Sequence, residues 1–182
     1  MLLFLSLSAA CPAATQRYGI GLDGKPISDL AGKGIRIVVL VFAASDCPIS
    51  NRYIPEIARL NKEFSSRGVR FWWVFPNPAD DAQVVKQHNR DFQIHEGALL
   101  DVTQSLVKRA NVTVTPEAAV FTAGMQEIYH GRIDDRYLSL GQERPQAVNH
   151  DLEVAIGAAL SGKAIPQPAG PPVGCSIVFL PR

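Results

Sequence analysis

Cys47 sits at the junction of two patterns in the stretch "ASDCPISNRYIPEI" (residues 44–57), where a strand-like run ends and a helical one begins. That position suits a working thiol. The unpaired N–H groups and positive end of a helix's first turn stabilise a thiolate. Thiolate is the form of cysteine that attacks disulfides and peroxides. Pro48 fits the first helical turn, where its missing N–H has no partner to lose. Ser50, three residues on, can donate a hydrogen bond to the sulfur. Asp46 opposes a thiolate by placing a negative charge beside it, and Arg52 is a candidate to offset that charge. The plainer reading is a buried cysteine packing as a small hydrophobe.

Two more cysteines complete the count of three, Cys11 and Cys175. Cys175 lies in "AIPQPAGPPVGCSIVFLPR" (residues 164–182), a Pro/Gly-rich segment that forms no regular element before "CSIVFL". A mobile segment can bring Cys175 to Cys47 as a resolving thiol. A fixed disulfide, an intermolecular link and an idle thiol are the alternatives. Thr115-Pro116 opens a strand pattern, and a trans proline is allowed at a strand's first residue. His88 shares an apolar helix face with Val85 and Phe92, which reads as a satisfied core histidine. A sharper reading joins His88 to Cys47 and Cys175 as a soft-metal site, because thiolate and imidazole suit copper or zinc. His95, His130 and His150 show no ligand spacing and read as surface residues. "GRIDDRY" (residues 131–137) reads as a salt-bridged loop fixing the last helix, or else as a polar wall beside the thiol.

The elements that position these residues follow from periodicity. "RIVVLVFAAS" (36–45) is a continuous β-branched, apolar run and reads as a buried central strand. Ile49, Tyr53, Ile57, Leu60 and Phe64 recur at helical spacing, and Gly68 ends that helix. "VRFWWVFP" (69–76) is a second buried strand. "PADDAQVVKQHNRDF" (78–92) is a second helix, with Pro78, Asp80 and Asp81 at its dipole-favoured start. "GALLD" is a short strand, and "TQSLVKRANV" a short helix, with Thr103 either capping it or ending the preceding turn. After Pro116 a strand resumes, turns at Ala123-Gly124 and returns as "EIYHGRI", a hairpin signal. Val148, Leu152, Ile156 and Leu160 mark a last amphipathic helix. "YGIGLDGKPISDLAGKG" (18–34) reads as an N-terminal hairpin leading into the sheet. The order β-α-β-α-β-α-β-β-α predicts an α/β fold, a central mixed sheet with helices on both faces.

The chain has 182 residues, 47% of them hydrophobic and 19% charged, with a formal net charge of +1. That is enough for one globular domain with its own core. It gives no electrostatic case for nucleic acid or an anionic membrane. "MLLFLSLSAACPAA" resembles a signal-peptide h-region with a small-residue cleavage site, although a basic n-region is missing. Cys11 follows an incomplete lipoprotein box in which Ser8 stands where leucine is preferred, so membrane attachment is expected only through lipidation at Cys11. The expected division is a signal segment over 1–15, a domain over 16–163 and a C-terminal tail over 164–182. Export places the pair Cys47 and Cys175 in an extracytoplasmic, periplasm-like compartment where disulfides persist.

Three stretches carry a family resemblance: "DCPISNRYIPEI", "VTPEAAVF...G...YHGRIDDRY" and "GCSI". The chain resembles the redoxin branch of the thioredoxin-like superfamily, which includes the alkyl hydroperoxide reductase and thiol-specific antioxidant proteins. More narrowly it resembles exported bacterial redoxin-domain proteins. The resemblance implies a cis bond at Thr115–Pro116, with Pro116 facing the reactive cysteine and shaping a substrate groove. Position and resemblance together make Cys47 the expected nucleophile; the residue reading adds Ser50 as a tuning residue and Cys175 as a candidate resolver, and Pro48, Thr115 and Pro116 are expected at the substrate side. Expected substrates are a protein thiol or disulfide, or a peroxide, with an external thiol reductant. No cofactor and no metal is expected. Two departures stand out. Where thioredoxins carry Cys-x-x-Cys, this chain has Cys47-Pro48-Ile49-Ser50. Where peroxiredoxins carry a threonine three residues before the cysteine, it has Ala44. The competing class is a redox-inactive or copper-handling binding module that docks a partner enzyme, although the cysteine pair and histidine spacing of copper-handling members are not matched.

Overall fold

The computed structural model describes residues 17–181. The signal pattern over 1–15 and Cys11 lie outside the described residues. In chain order the elements begin with the short strands β1 (Gly19–Gly21) and β2 (Pro26–Ile27), then β3 (Ile37–Phe42), α1 (Pro48–Phe64), β4 (Val69–Phe75) and α2 (Ala82–Asp91). They continue with β5 (Gly97–Leu100), α3 (Ser105–Ala110), β6 (Val114–Thr115), β7 (Glu117–Thr122) and β8 (Glu127–Gly131). A small hairpin of β9 (Tyr137–Ser139) and β10 (Gln142–Glu143) precedes α4 (Asp151–Leu160), and β11 (Cys175–Ser176) comes last.

Seven strands form one mixed sheet in the order β2-β1-β5-β4-β3-β7-β8. β3, β4 and β5 run parallel, whereas β7, β8 and the β1–β2 hairpin are antiparallel to their neighbours. β3 is central because all six of its side chains are apolar and both of its faces are covered. Ile37, Val39 and Val41 join a layer with α1, α4 and Val85 of α2, while Val38, Leu40 and Phe42 join the layer beneath α3. The sheet with helices on both faces is therefore present as expected.

Three local expectations are corrected. α2 starts at Ala82, with Asp81 as its N-cap, so Pro78 and Asp80 lie before the helix. α3 is capped by Asp101 and not by Thr103: its carboxylate accepts the N–H groups of Ser105, Leu106 and Val107 at 2.8–3.0 Å. Val148 lies outside α4 and is exposed, although Leu152 and Ile156 are fully buried. Among the described residues, no helix is long and apolar enough to cross a membrane.

Candidate active site

Cys47 is the N-cap of α1. Its backbone is extended (φ −83°, ψ 112°), and its sulfur accepts the Ser50 N–H at 3.5 Å. As a neutral thiol it donates to the Thr115 carbonyl oxygen at 3.2 Å. The Thr115–Pro116 peptide bond is cis. Pro48 takes the first helical position and is exposed.

Cys175 reaches the same place through the backbone. β11 pairs antiparallel with β6, setting Cys175 opposite Thr115 and Ser176 opposite Val114. Thr115 Oγ1 also donates to the Cys175 carbonyl oxygen at 3.4 Å. Both cysteines are free thiols. Cys47 is only 1% exposed, and Cys175 is half-buried. Ser50, Thr115 and Cys175 thus converge on one sulfur. The tail, expected to be mobile, is docked against the domain over residues 164–181: Ala169 N–H donates to Asp151 at 3.0 Å, and β11 then lies along β6.

The electrostatics separate the two thiols. Burial alone would push the Cys47 thiol up. The Ser50 N–H bonded to the sulfur, with the Cys175 thiol, the Ser50 hydroxyl and the Cys175 N–H beside it as donors to a thiolate, outweighs burial and holds Cys47 below the ordinary thiol value. The Ser50 hydroxyl is buried without a hydrogen-bond partner, so it is free to donate to a thiolate. Cys175 moves the other way, to about 12, through burial first and then through its bond to Cys47 and the charges of Cys47 and Asp46. The two shifts run in opposite directions, so ionisation is favoured at Cys47 over Cys175. Arg52 plays no part, because it pairs with Glu143 at 2.9 Å.

The loop before Cys47 is held by a buried polar network that the sequence did not reveal. Asp80 Oδ1 accepts the Ser45 N–H at 3.1 Å and also the Ser45 hydroxyl. Asn51 Nδ2 donates to the Ser45 carbonyl at 3.2 Å, and His88 Nε2 meets Asn51 Oδ1 at 2.8 Å. Burial lowers the His88 pKa, so the neutral ring with Nε2–H fits that acceptor. His88 therefore serves Asn51 and is not directed at the thiols as a metal ligand. Asp80 showed only as a helix-start acid in sequence, since its partner lies far away in the chain. Asn51 carried no signal beyond its place beside the thiol motif.

The "GRIDDRY" loop takes the structural role. Arg132 bridges to Asp151 of α4 at 2.7 Å, Tyr53 donates to Asp134 at 2.5 Å, and Asp135 accepts the N–H groups of Val148 and Asn149. His150 is exposed, as expected, but it groups with Glu56 and Glu153, with ligand-type atoms within 4.8 Å of one another. Arg59 already pairs with both glutamates, which offsets the charge that would draw in a cation.

The sheet order, the helix opening at Cys47 and the cis proline together define a thioredoxin-like redoxin. The chain belongs to the AhpC/TSA family, whose model matches residues 9–128. No curated protein matches it. Among solved structures it is similar to an uncharacterized conserved protein from Geobacillus kaustophilus, at 22% identity over 92% of this chain and 91% of that one, with a TM-score of 0.75. A hypothetical protein from Sinorhizobium meliloti is similar at 20% identity, covering 92% of this chain and 95% of that one, with a TM-score of 0.73. A secreted Mycobacterium tuberculosis disulfide oxidoreductase aligns at 16% identity over 79% of this chain and 93% of that one, with a TM-score of 0.52. At these identities the likeness is one of fold.

Proposed function

We propose that this protein is a thiol–disulfide oxidoreductase in which Cys47 attacks and Cys175 resolves. The observation that carries the reading is the convergence of two free thiols at the start of α1, one favoured as thiolate and the other as its proton donor. The Cys47 thiolate attacks one sulfur of a substrate disulfide, and the other sulfur leaves as a thiolate. Cys175 then attacks the Cys47 sulfur of the mixed disulfide and releases the reduced substrate. An external thiol reductant opens the resulting Cys47–Cys175 disulfide. Cys175 thereby supplies the resolving thiol that the Cys-x-x-Ser motif lacks. Disulfide substrates are favoured over peroxides, because Ala44 holds the place of the peroxidatic threonine.

The reading places the protein outside the cytoplasm. Support comes from the apolar leader pattern over 1–15 and from the structural neighbour described as secreted. Within it, residues 16–163 form the reactive domain and 164–182 the resolving arm.

The test is alkylation and intact mass before and after one equivalent of a small disulfide, with hydrogen peroxide in parallel. Reduced protein should lose both alkylatable thiols as one intramolecular disulfide forms. Cys175→Ser should stop at a mixed disulfide, and Cys47→Ser should not react. Survival of both thiols, or a Cys47→Ser variant as reactive as the parent, overturns the proposal in favour of a binding module.

A further inference from the structure

The segment that carries Cys175 is held in a way that says more than delivery of a thiol. Its contacts with the domain are mostly to its backbone. Cys175 and Ser176 pair with Thr115 and Val114, and the Ile177 N–H donates to the Thr113 carbonyl at 3.3 Å. Asn77 Oδ1 accepts the Val178 N–H at 3.0 Å. Gln104 grips the next residues with both ends of its amide: Nε2 donates to the Val178 carbonyl at 2.7 Å, and Oε1 accepts the Leu180 N–H at 3.0 Å. Gln104 is itself buried, at 1% exposure, so the grip is built into the domain. Backbone contacts of this kind accept any extended chain.

Side chains set few requirements along the same stretch. At Gly174 an added Cβ would lie 2.2 Å from the Thr115 carbonyl oxygen, so that position must be glycine for the strand to seat. Cys175 faces Cys47. Ile177 is 3% exposed and enters the core layer beneath α3. Beyond it, Val178 and Phe179 are 60% and 56% exposed, and the segment's end stands over a cavity of about 360 Å³ lined by Gln104, Val107 and Val112. The strand is specified at three positions and otherwise loosely packed, which suits an occupant that leaves.

Resting on the reading of Cys47 as nucleophile, we propose that the β6 edge, Gln104 and Asn77 form a docking groove for an extended protein segment of pattern Gly-Cys-x-aliphatic. Residues 174–180 occupy it as a tethered stand-in. With the stand-in seated, Cys47 is covered, and the thiol nearest to it is the chain's own. A substrate segment replaces the strand, and Cys47 attacks the sulfur of its disulfide-bonded cysteine, releasing the sulfur on the far side as thiolate. When the tethered strand returns, Cys175 attacks Cys47, the substrate cysteine leaves as thiolate, and the pair is oxidised by two electrons. Both strands use one edge, so resolution and eviction of the substrate are coupled.

The test uses full-length Cys175→Ser protein, with and without Gly174→Val to unseat the strand. Each is mixed with the peptide PPVGCSIVFL, its cysteine activated as a thiopyridyl disulfide, and thiopyridone release is timed. A second peptide carries valine in place of the glycine. Unseating should speed reaction with the glycine peptide about tenfold, and the valine peptide should react about tenfold more slowly, the scale of one or two lost backbone hydrogen bonds. Ile177→Asp, which unseats the same strand from the other side, should give the same acceleration as Gly174→Val. Dithiodipyridine, which needs no strand pairing, reports the thiol alone. Equal rates for both peptides in all variants, with dithiodipyridine still consumed, overturn the groove. Failure of Cys47 to react with dithiodipyridine overturns instead the thiol chemistry beneath it.

Discussion

The charge on Cys47 is set by what donates to its sulfur. Burial disfavours the thiolate, and four donors from Ser50 and Cys175 reverse that preference. Removing a donor therefore moves the thiol upward. Ser50→Ala and Cys175→Ala should each raise the pH midpoint of Cys47 alkylation by about one unit, the worth of one hydrogen bond to a charged group. The wild-type midpoint should fall below that of an ordinary thiol. Iodoacetamide rates measured across the titration check this, and an unmoved midpoint in both variants removes the donors from the account.

At the scale of elements, Asp135 ties the loop after β8 to the segment leading into α4. Burial opposes its ionisation, but the N–H groups of Asn149 and Val148, the Asn149 side chain and Arg144 together hold its pKa down to about 2. A carboxylate lowered on folding stabilises the fold above its unfolded value of about 3.9, and that contribution is lost as pH falls toward the folded value. Asp135→Asn should thus unfold at lower urea than wild type at neutral pH. The gap should close on descent from about pH 4 to about pH 2. Urea titrations at several pH values test it, and a gap that persists in acid would trace the loss to a packing defect in the Asp135→Asn variant instead of to the missing charge.

At the scale of the whole molecule, residues 164–181 run from α4 back across the sheet's end to α3. Pro168 packs against Gly131, Ala169 bonds to Asp151, and the strand then passes β6 to reach Asn77 and Gln104. A Cys47–Cys175 disulfide would close a loop of more than 100 residues around the core. Chain-entropy reasoning puts the stabilisation at about 5 kcal/mol. The oxidised protein should unfold at higher denaturant than the reduced protein, and Cys175→Ser should match the reduced form whatever the oxidant. Denaturation curves with and without reductant measure the difference, and coincident curves would mean the two thiols do not bridge.

The order of strands and helices was legible in the sequence because each element writes its own period: six apolar residues in β3 and helical spacing in α1, although Gly68 closes a 3-10 turn over Ser65–Arg67 after α1 ends at Phe64. Cys47 was legible as a candidate for the same reason, since a strand-to-helix junction is a local feature. The partners of that thiol were not. Cys175 left four alternatives open in sequence, and only the antiparallel pairing of β11 with β6 placed it beside Cys47. Asp80, His88 and Gln104 likewise gained their roles from neighbours many residues away, across packed layers. Local periodicity follows from backbone geometry and is carried by adjacent residues. Long-range hydrogen bonds depend on how the layers settle against one another, and that is decided only when the core closes.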